Sequence, residues 1–228
     1  MVVAPAGYDL QKIPAIVEEK RAWIEGHLRR FAATAAQAAA ADPEPVVALP
    51  GTIDLPALEE SWRVAYEATR TRRVGVLSDG AGRLTVYGDV HDEAACRAAL
   101  RLWLHRRTRE EIVPWLDRLA DEGGFSFGEA LIRGQRTRWA SCSAKGRINL
   151  SFKLLFLERD WVRCVLWHEL CHTRVMNHSP RFWALLERFE PESRAIRKAM
   201  REAWRRVPAW AEEPGGLPRR EKGEAKKG

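Results

Sequence analysis

The chain has 228 residues, of which 46% are hydrophobic and 30% charged. That balance excludes a wholly disordered chain, and the length suffices to bury a core without disulfides or a structural metal. Of the net charge of +7, the last ten residues carry five positive and two negative charges (+3), leaving about +4 on the body, too little to argue for nucleic-acid binding by itself.

Residues 12–31 are predicted to form an amphipathic helix, with Ile16, Trp23, Leu28 and Phe31 near one stripe. An alanine tract extends it until the Pro-rich stretch around 43–60, which reads as an irregular linker. From Ser61 the hydrophobic period changes to two: Trp62, Val64 and Tyr66 alternate with polar or small residues. The Asp79-Gly80-Ala81-Gly82 turn then predicts a β-hairpin. Helical spacing returns over 92–120, with Pro114 placed to kink or split the helix. Strand-like segments follow at 125–134 and 147–157, then helices over 159–175, 180–190 and 192–206. Ser179-Pro180 has the form of a helix start. The pattern predicts an α+β fold, a small antiparallel sheet packed on helices. It divides into an N-terminal helix and Pro-rich linker (1–60), a main domain (61–210) and a basic, disordered tail (211–228). No apolar run approaches the ~20 residues of a membrane span, and the first residues lack the form of a secretory signal, so a cytoplasmic protein is expected. There the four cysteines would be reduced and mostly buried.

Three of the six histidines fall within eleven residues, where random placement gives roughly 0.3. The segment holds H-E-x-x-H as His168-Glu169-Leu170-Cys171-His172. Trp161, Val162, Val165, Leu166, Trp167 and Leu170 surround it with apolar residues, the mark of a buried helix. On such a helix His168 and His172 lie one turn apart on one face, as two nitrogens must to reach a single ion. Zinc needs a third protein ligand. His178, six residues after His172 and just before Ser179-Pro180, is the first candidate, with Glu187 or Glu190 as the alternative. The H-E-x-x-H-x5-H spacing matches that of metzincins, with Val175 where their turn glycine stands and Asn177 as the residue able to supply a left-handed turn. Glu169, about 100° round the helix from His168, is placed to take a proton from zinc-bound water. Cys171 points off the ligand face, and Phe182, Trp183 and Phe189 read as core. The loop Arg136–Ser143 reads as structural, with oxyanion stabilisation as its other possible use. The strand from Arg147 to Leu154 is expected to be an edge to which an extended peptide adds.

The motifs R-x-R-W-x-S-C-S (Arg136–Ser143), G-x-I-N-L (Gly146–Leu150), H-E-L-C-H and N-H-S-x-x-F-W (Asn177–Trp183) together resemble the YgjP-like zinc metallopeptidases, relatives of the SprT-like proteases. The likeness runs from about Gln11 to Trp210. It implies a zincin-like core with zinc on His168, His172 and His178 and with Glu169 as general base. The chain departs from the family in Ala140, where glycine is usual, and in its start: Met1-Val2-Val3 corresponds to the end of a basic hairpin that normally precedes the helix bearing Glu19–Ile24. The expected function is zinc-dependent hydrolysis of a peptide or protein substrate. The alternatives are a DNA-associated SprT-like protease, for which the missing Cys-rich ribbon and modest body charge speak poorly, and a non-catalytic zinc-binding scaffold.

Overall fold

A computed structural model describes residues 47–135 and 137–212. The helix expected over 12–31, Arg136 and the residues from 213 lie outside the described residues. Strands β1 (Thr52–Leu55), β2 (Glu60–Ala68), β3 (Gly75–Ser78) and β4 (Arg83–Gly88) form one sheet in the order β1-β2-β4-β3. The β3–β4 hairpin is the one announced by its turn. Gly80 and Gly82 take positive φ there, and the Asp79 carboxylate accepts from the N–H groups of Ala81 (2.8 Å) and Arg83 (2.9 Å).

Two sequence expectations change here. The stretch read as linker contains β1, whose Ile53 and Leu55 are buried while Thr52 and Asp54 face out, and which pairs antiparallel with β2. The sheet is also mixed, because β4 inserts between β2 and β3 and so runs parallel to β2, from Arg63 opposite Arg83 to Ala68 opposite Gly88. A hairpin signal is local and says nothing of which strand the hairpin docks on.

Helix α1 (Glu93–Gly123) follows, capped by the Asp92 carboxylate accepting from Ala95 N–H (2.9 Å) and closed by Gly124 at φ 63°. Pro114 does not split it. The proline and Glu110, whose carbonyl loses its intrahelical donor, both lie on the exposed face, where water can replace the bond. The opposite stripe, Leu100, Leu104, Ile112 and Leu116, is fully buried, each side chain worth about 1.5–3 kcal/mol of burial. Trp103 meets Trp62 of β2 edge-on at 5.3 Å, fixing the helix to the first sheet.

A second sheet, β5 (Glu129–Arg133), β6 (Ala140–Cys142) and β7 (Arg147–Ser151), has the order β5-β7-β6. It repeats the insertion: β7 lies between its partners, parallel to β5 and antiparallel to β6. The expected edge strand is therefore interior, both its sides being paired. It is also shorter than expected, since Phe152–Phe156 turns into a fully buried 3-10 segment. That segment buries Lys153 completely. Its ammonium pairs with Glu212 and lies 5.7 Å from the Trp204 ring centre, as a buried lysine requires. Ala211 is buried as well, so the first two residues of the stretch read as tail are packed against the core.

Three α-helices follow, α2 (Arg159–His172), α3 (Pro180–Phe189) and α4 (Ser193–Ala199), the last shorter than the helix expected over 192–206, and 3-10 segments at Ala203–Arg206 and Ala209–Ala211 end the described chain. The class is α+β, with two small mixed sheets. Among the described residues no helix is long and apolar enough to cross a membrane, and all four cysteines are free.

Candidate metal centre

Helix α2 carries His168, Glu169 and His172. It is held by the burial of Val162, Cys164, Leu166, Trp167, Leu170 and Cys171, and it presents His168 and Glu169 to a cleft. The helix ends at His172, and the chain turns through Thr173 and Arg174, with Val175 N–H donating to the Cys171 carbonyl (2.9 Å). Asn177 does not supply a left-handed turn: among the described residues other than glycine, only Glu59 has positive φ. The reversal is spread over several residues, so no glycine is required at Val175. His178 then returns to the helix just ahead of α3, whose first turn is held by the Ser179 carbonyl accepting from Phe182 N–H (3.0 Å). Ser179 precedes Pro180 as expected, but its hydroxyl makes no capping bond.

The turn brings the three histidines together. Nε2 of His168 lies 3.1 Å from Nε2 of His172 and 3.1 Å from Nε2 of His178, and the ligating atoms of all three lie within 4.8 Å of one another. Nitrogens on one tetrahedral ion at 2.0–2.1 Å stand roughly 3.3–3.4 Å apart, so the two spacings from His168 fit a shared ion. His172 Nδ1 is 3.1 Å from the Val175 carbonyl. A carbonyl only accepts, so Nδ1 carries the hydrogen and the neutral ring turns its Nε2 lone pair inward. Burial, then His172 and His178, push His168 down to about 3; burial lowers His172 and His178 too. All three rings are held in the neutral form that ligates metals. Glu187 and Glu190, the alternative third ligands, are turned to Arg194 and Arg163 and take no part in the cluster.

Glu169 is 5% exposed, and its Oε2 has no hydrogen-bond partner among the described residues. Burial pushes its carboxyl up to about 8, against the pull of the Arg138 guanidinium and of a hydrogen bond from the Cys142 backbone. Three clustered imidazoles and an unpartnered buried carboxyl are groups that one cation would satisfy together. The residues present fit a metal ion.

The rings read as core from their helical spacing form the wall of the centre. Phe182, fully buried, lies 4.5–4.9 Å from all three imidazoles. Trp183 stacks on His178 (5.4 Å, 21°) and donates its Nε1–H to the His178 carbonyl (3.0 Å). Their signal was present in the sequence as N-H-S-x-x-F-W, but spacing alone cannot tell a core ring from one that orients a ligand. Phe182→Ala is expected to weaken metal binding by about 10–100-fold, as loss of a neighbour that orients the imidazoles does, and to cost about 3–5 kcal/mol of stability. A chelator competition titration and a melting curve check the two effects separately.

The loop before β6 behaves as a structural one in part. Trp139 stacks on Trp204 (3.8 Å, 12°), and Gln135 donates to Ser141 Oγ (3.2 Å). Arg138, however, is exposed near Glu169 rather than paired with an acidic side chain among the described residues. Cys171 is buried and outside the cluster, as its spacing implied.

The family description "YgjP-like, metallopeptidase domain" matches residues 1–203. The chain belongs to the YgjP-like metallopeptidase family. Membership implies a metal ion, and the histidine triad is a group able to hold one. No curated protein matches the chain. Among solved structures, the YgjP-like chain is similar to the metallopeptidase zymogen abylysin of Pyrococcus abyssi: 30% identity over 38% of this chain and 90% of that one, with a TM-score of 0.35.

Proposed function

We propose that this YgjP-like protein is a zinc-dependent metallopeptidase, with zinc held by His168, His172 and His178 and with Glu169 as general base. The observation that supports this most is the pairing of three converging Nε2 atoms with the buried, unpartnered Glu169 carboxyl. When bound, zinc supplies Lewis acidity, lowering the pKa of water toward ~7 and polarising a carbonyl oxygen. Glu169 Oε2 takes the proton from the attacking water and passes it to the amine as the peptide bond breaks. Burial disfavours the ionised carboxyl in the metal-free protein, and a dication beside it would lower the cost of ionisation, leaving Glu169 deprotonated and able to accept a proton.

An extended peptide has a natural berth on β6. That strand pairs only with β7 among the described residues, packs against α2, and contributes the Cys142 backbone that meets Glu169. The substrate is accordingly a peptide or protein segment in extended form. The four free cysteines suit a reducing compartment, and the cytoplasm is the location we assign.

Metal removal tests the reading. Protein stripped by a chelator should show no peptide hydrolysis, and one equivalent of zinc should restore it. Hydrolysis that persists unchanged in metal-free protein would overturn it.

A further inference from the structure

Beside the triad lies a cleft of about 330 Å³. His168 and Glu169 form one side, and Trp139 and Met200 give it an apolar floor. Arg197 and Arg201 complete the lining, one from α4 and one just beyond its end.

The charge of these two guanidiniums is unmatched. Arginines around them find carboxylates: Arg163 meets Glu190, Arg194 meets Glu187, Arg205 meets Glu202 and Arg206 meets Glu158. Among the described residues Arg197 and Arg201 have no ion-pair partner, and both are exposed to the cleft side. Arg197 is nevertheless held in place. Its guanidinium lies 4.0 Å over the Trp183 ring, the ring that stacks on His178. The basic surface continues outward through a neighbouring hollow lined by Arg194, Arg197, Lys198 and Arg201. A fixed cation beside a site built for a dication is repelled by the metal. It becomes favourable only when an anion comes to lie near both.

We infer that Arg197 and Arg201 form a carboxylate-binding subsite next to the scissile bond, so that this enzyme selects peptides with an acidic group there. The inference rests on the proposed peptidase reading and deepens it by naming the substrate class. A planar guanidinium pair suits a carboxylate, and the apolar floor accommodates the aliphatic stem that carries it. The carboxylate has two possible sources, an Asp or Glu side chain or the C-terminus of the peptide.

The test is cleavage-site profiling of the zinc-loaded protein on a randomised peptide library, with free and with amidated C-termini, read by mass spectrometry. Acidic residues should be enriched about tenfold at one position adjoining the cleaved bond, in both library forms if the source is a side chain. If the source is the C-terminus, cleavage should collect near free ends and disappear on amidation. Arg201→Gln should flatten the preference, and Arg201→Glu should invert it toward Lys and Arg. A profile without acidic preference, or one unchanged by both variants, overturns the subsite. A second readout separates its failure from that of the peptidase reading: fluorescence anisotropy of labelled Glu-, Gln- and Lys-containing peptides on the zinc-loaded protein. If no peptide is cleaved yet the Glu peptide binds about tenfold tighter and Arg201→Glu abolishes this, the peptidase reading fails and the carboxylate subsite stands. Equal binding of the three peptides overturns the subsite whatever the cleavage result.

Discussion

Glu169→Gln is expected to bind a full equivalent of zinc and to lose about 10²–10⁴-fold in kcat for peptide hydrolysis, the range that a positioned general base contributes. The substitution is nearly isosteric and leaves all three imidazoles untouched, since Glu169 is outside the histidine cluster. An amide has no lone pair basic enough to take the proton from water, so binding survives while the proton transfer fails. The fold should not suffer. Burial disfavours the ionised carboxylate, and its Oε2 has no donor to lose among the described residues. A neutral amide there should leave the metal-free protein melting no lower than wild type at neutral pH and above. Elemental analysis with steady-state kinetics decides the matter. Wild-type turnover in the zinc-loaded variant would remove Glu169 from the mechanism.

His172→Ala and His178→Ala are expected to abolish stoichiometric zinc, each weakening affinity by at least about 100-fold, more than the loss of an outer neighbour does. The two differ in what else they disturb. His172 is buried and anchored to the Val175 carbonyl, so its removal opens a hole in the helix packing as well. His178 is exposed, and its removal should spare the melting temperature of the metal-free protein. Zinc content in purified variants, measured beside wild type, checks both. Full occupancy in His178→Ala would point to a different third donor.

The clustering of the three histidines was legible in the sequence because its information is local. Two histidines share one face of one helix, and the third arrives after a six-residue step bounded by a helix start. The parts that escaped are those that local pattern cannot encode. The β3–β4 hairpin was plain from its turn, but the insertion of β4 beside β2, and of β7 between β5 and β6, depends on contacts between segments far apart in the chain. That error in topology turned an interior strand into an expected edge. The Pro-rich stretch hid β1, since Pro50 and Pro56 flank the four-residue strand rather than interrupt it. Phe182 and Trp183 looked like ordinary core because a ring's burial is visible in periodicity, whereas the atoms it is buried against are not. Arg197 and Arg201, one turn apart, carried no signal until the cleft placed them beside Glu169.

The family match stops at Ala203, one residue before the piece of chain that fastens the centre shut. Trp204 braces Trp139, Trp210 meets Phe156 edge-on at 6.1 Å, and Glu212 supplies the counter-ion of the enclosed Lys153. A recombinant fragment trimmed at the family boundary would strand an ammonium in the interior and unclasp the loop that borders Glu169. A fragment that keeps these contacts therefore reaches Glu212.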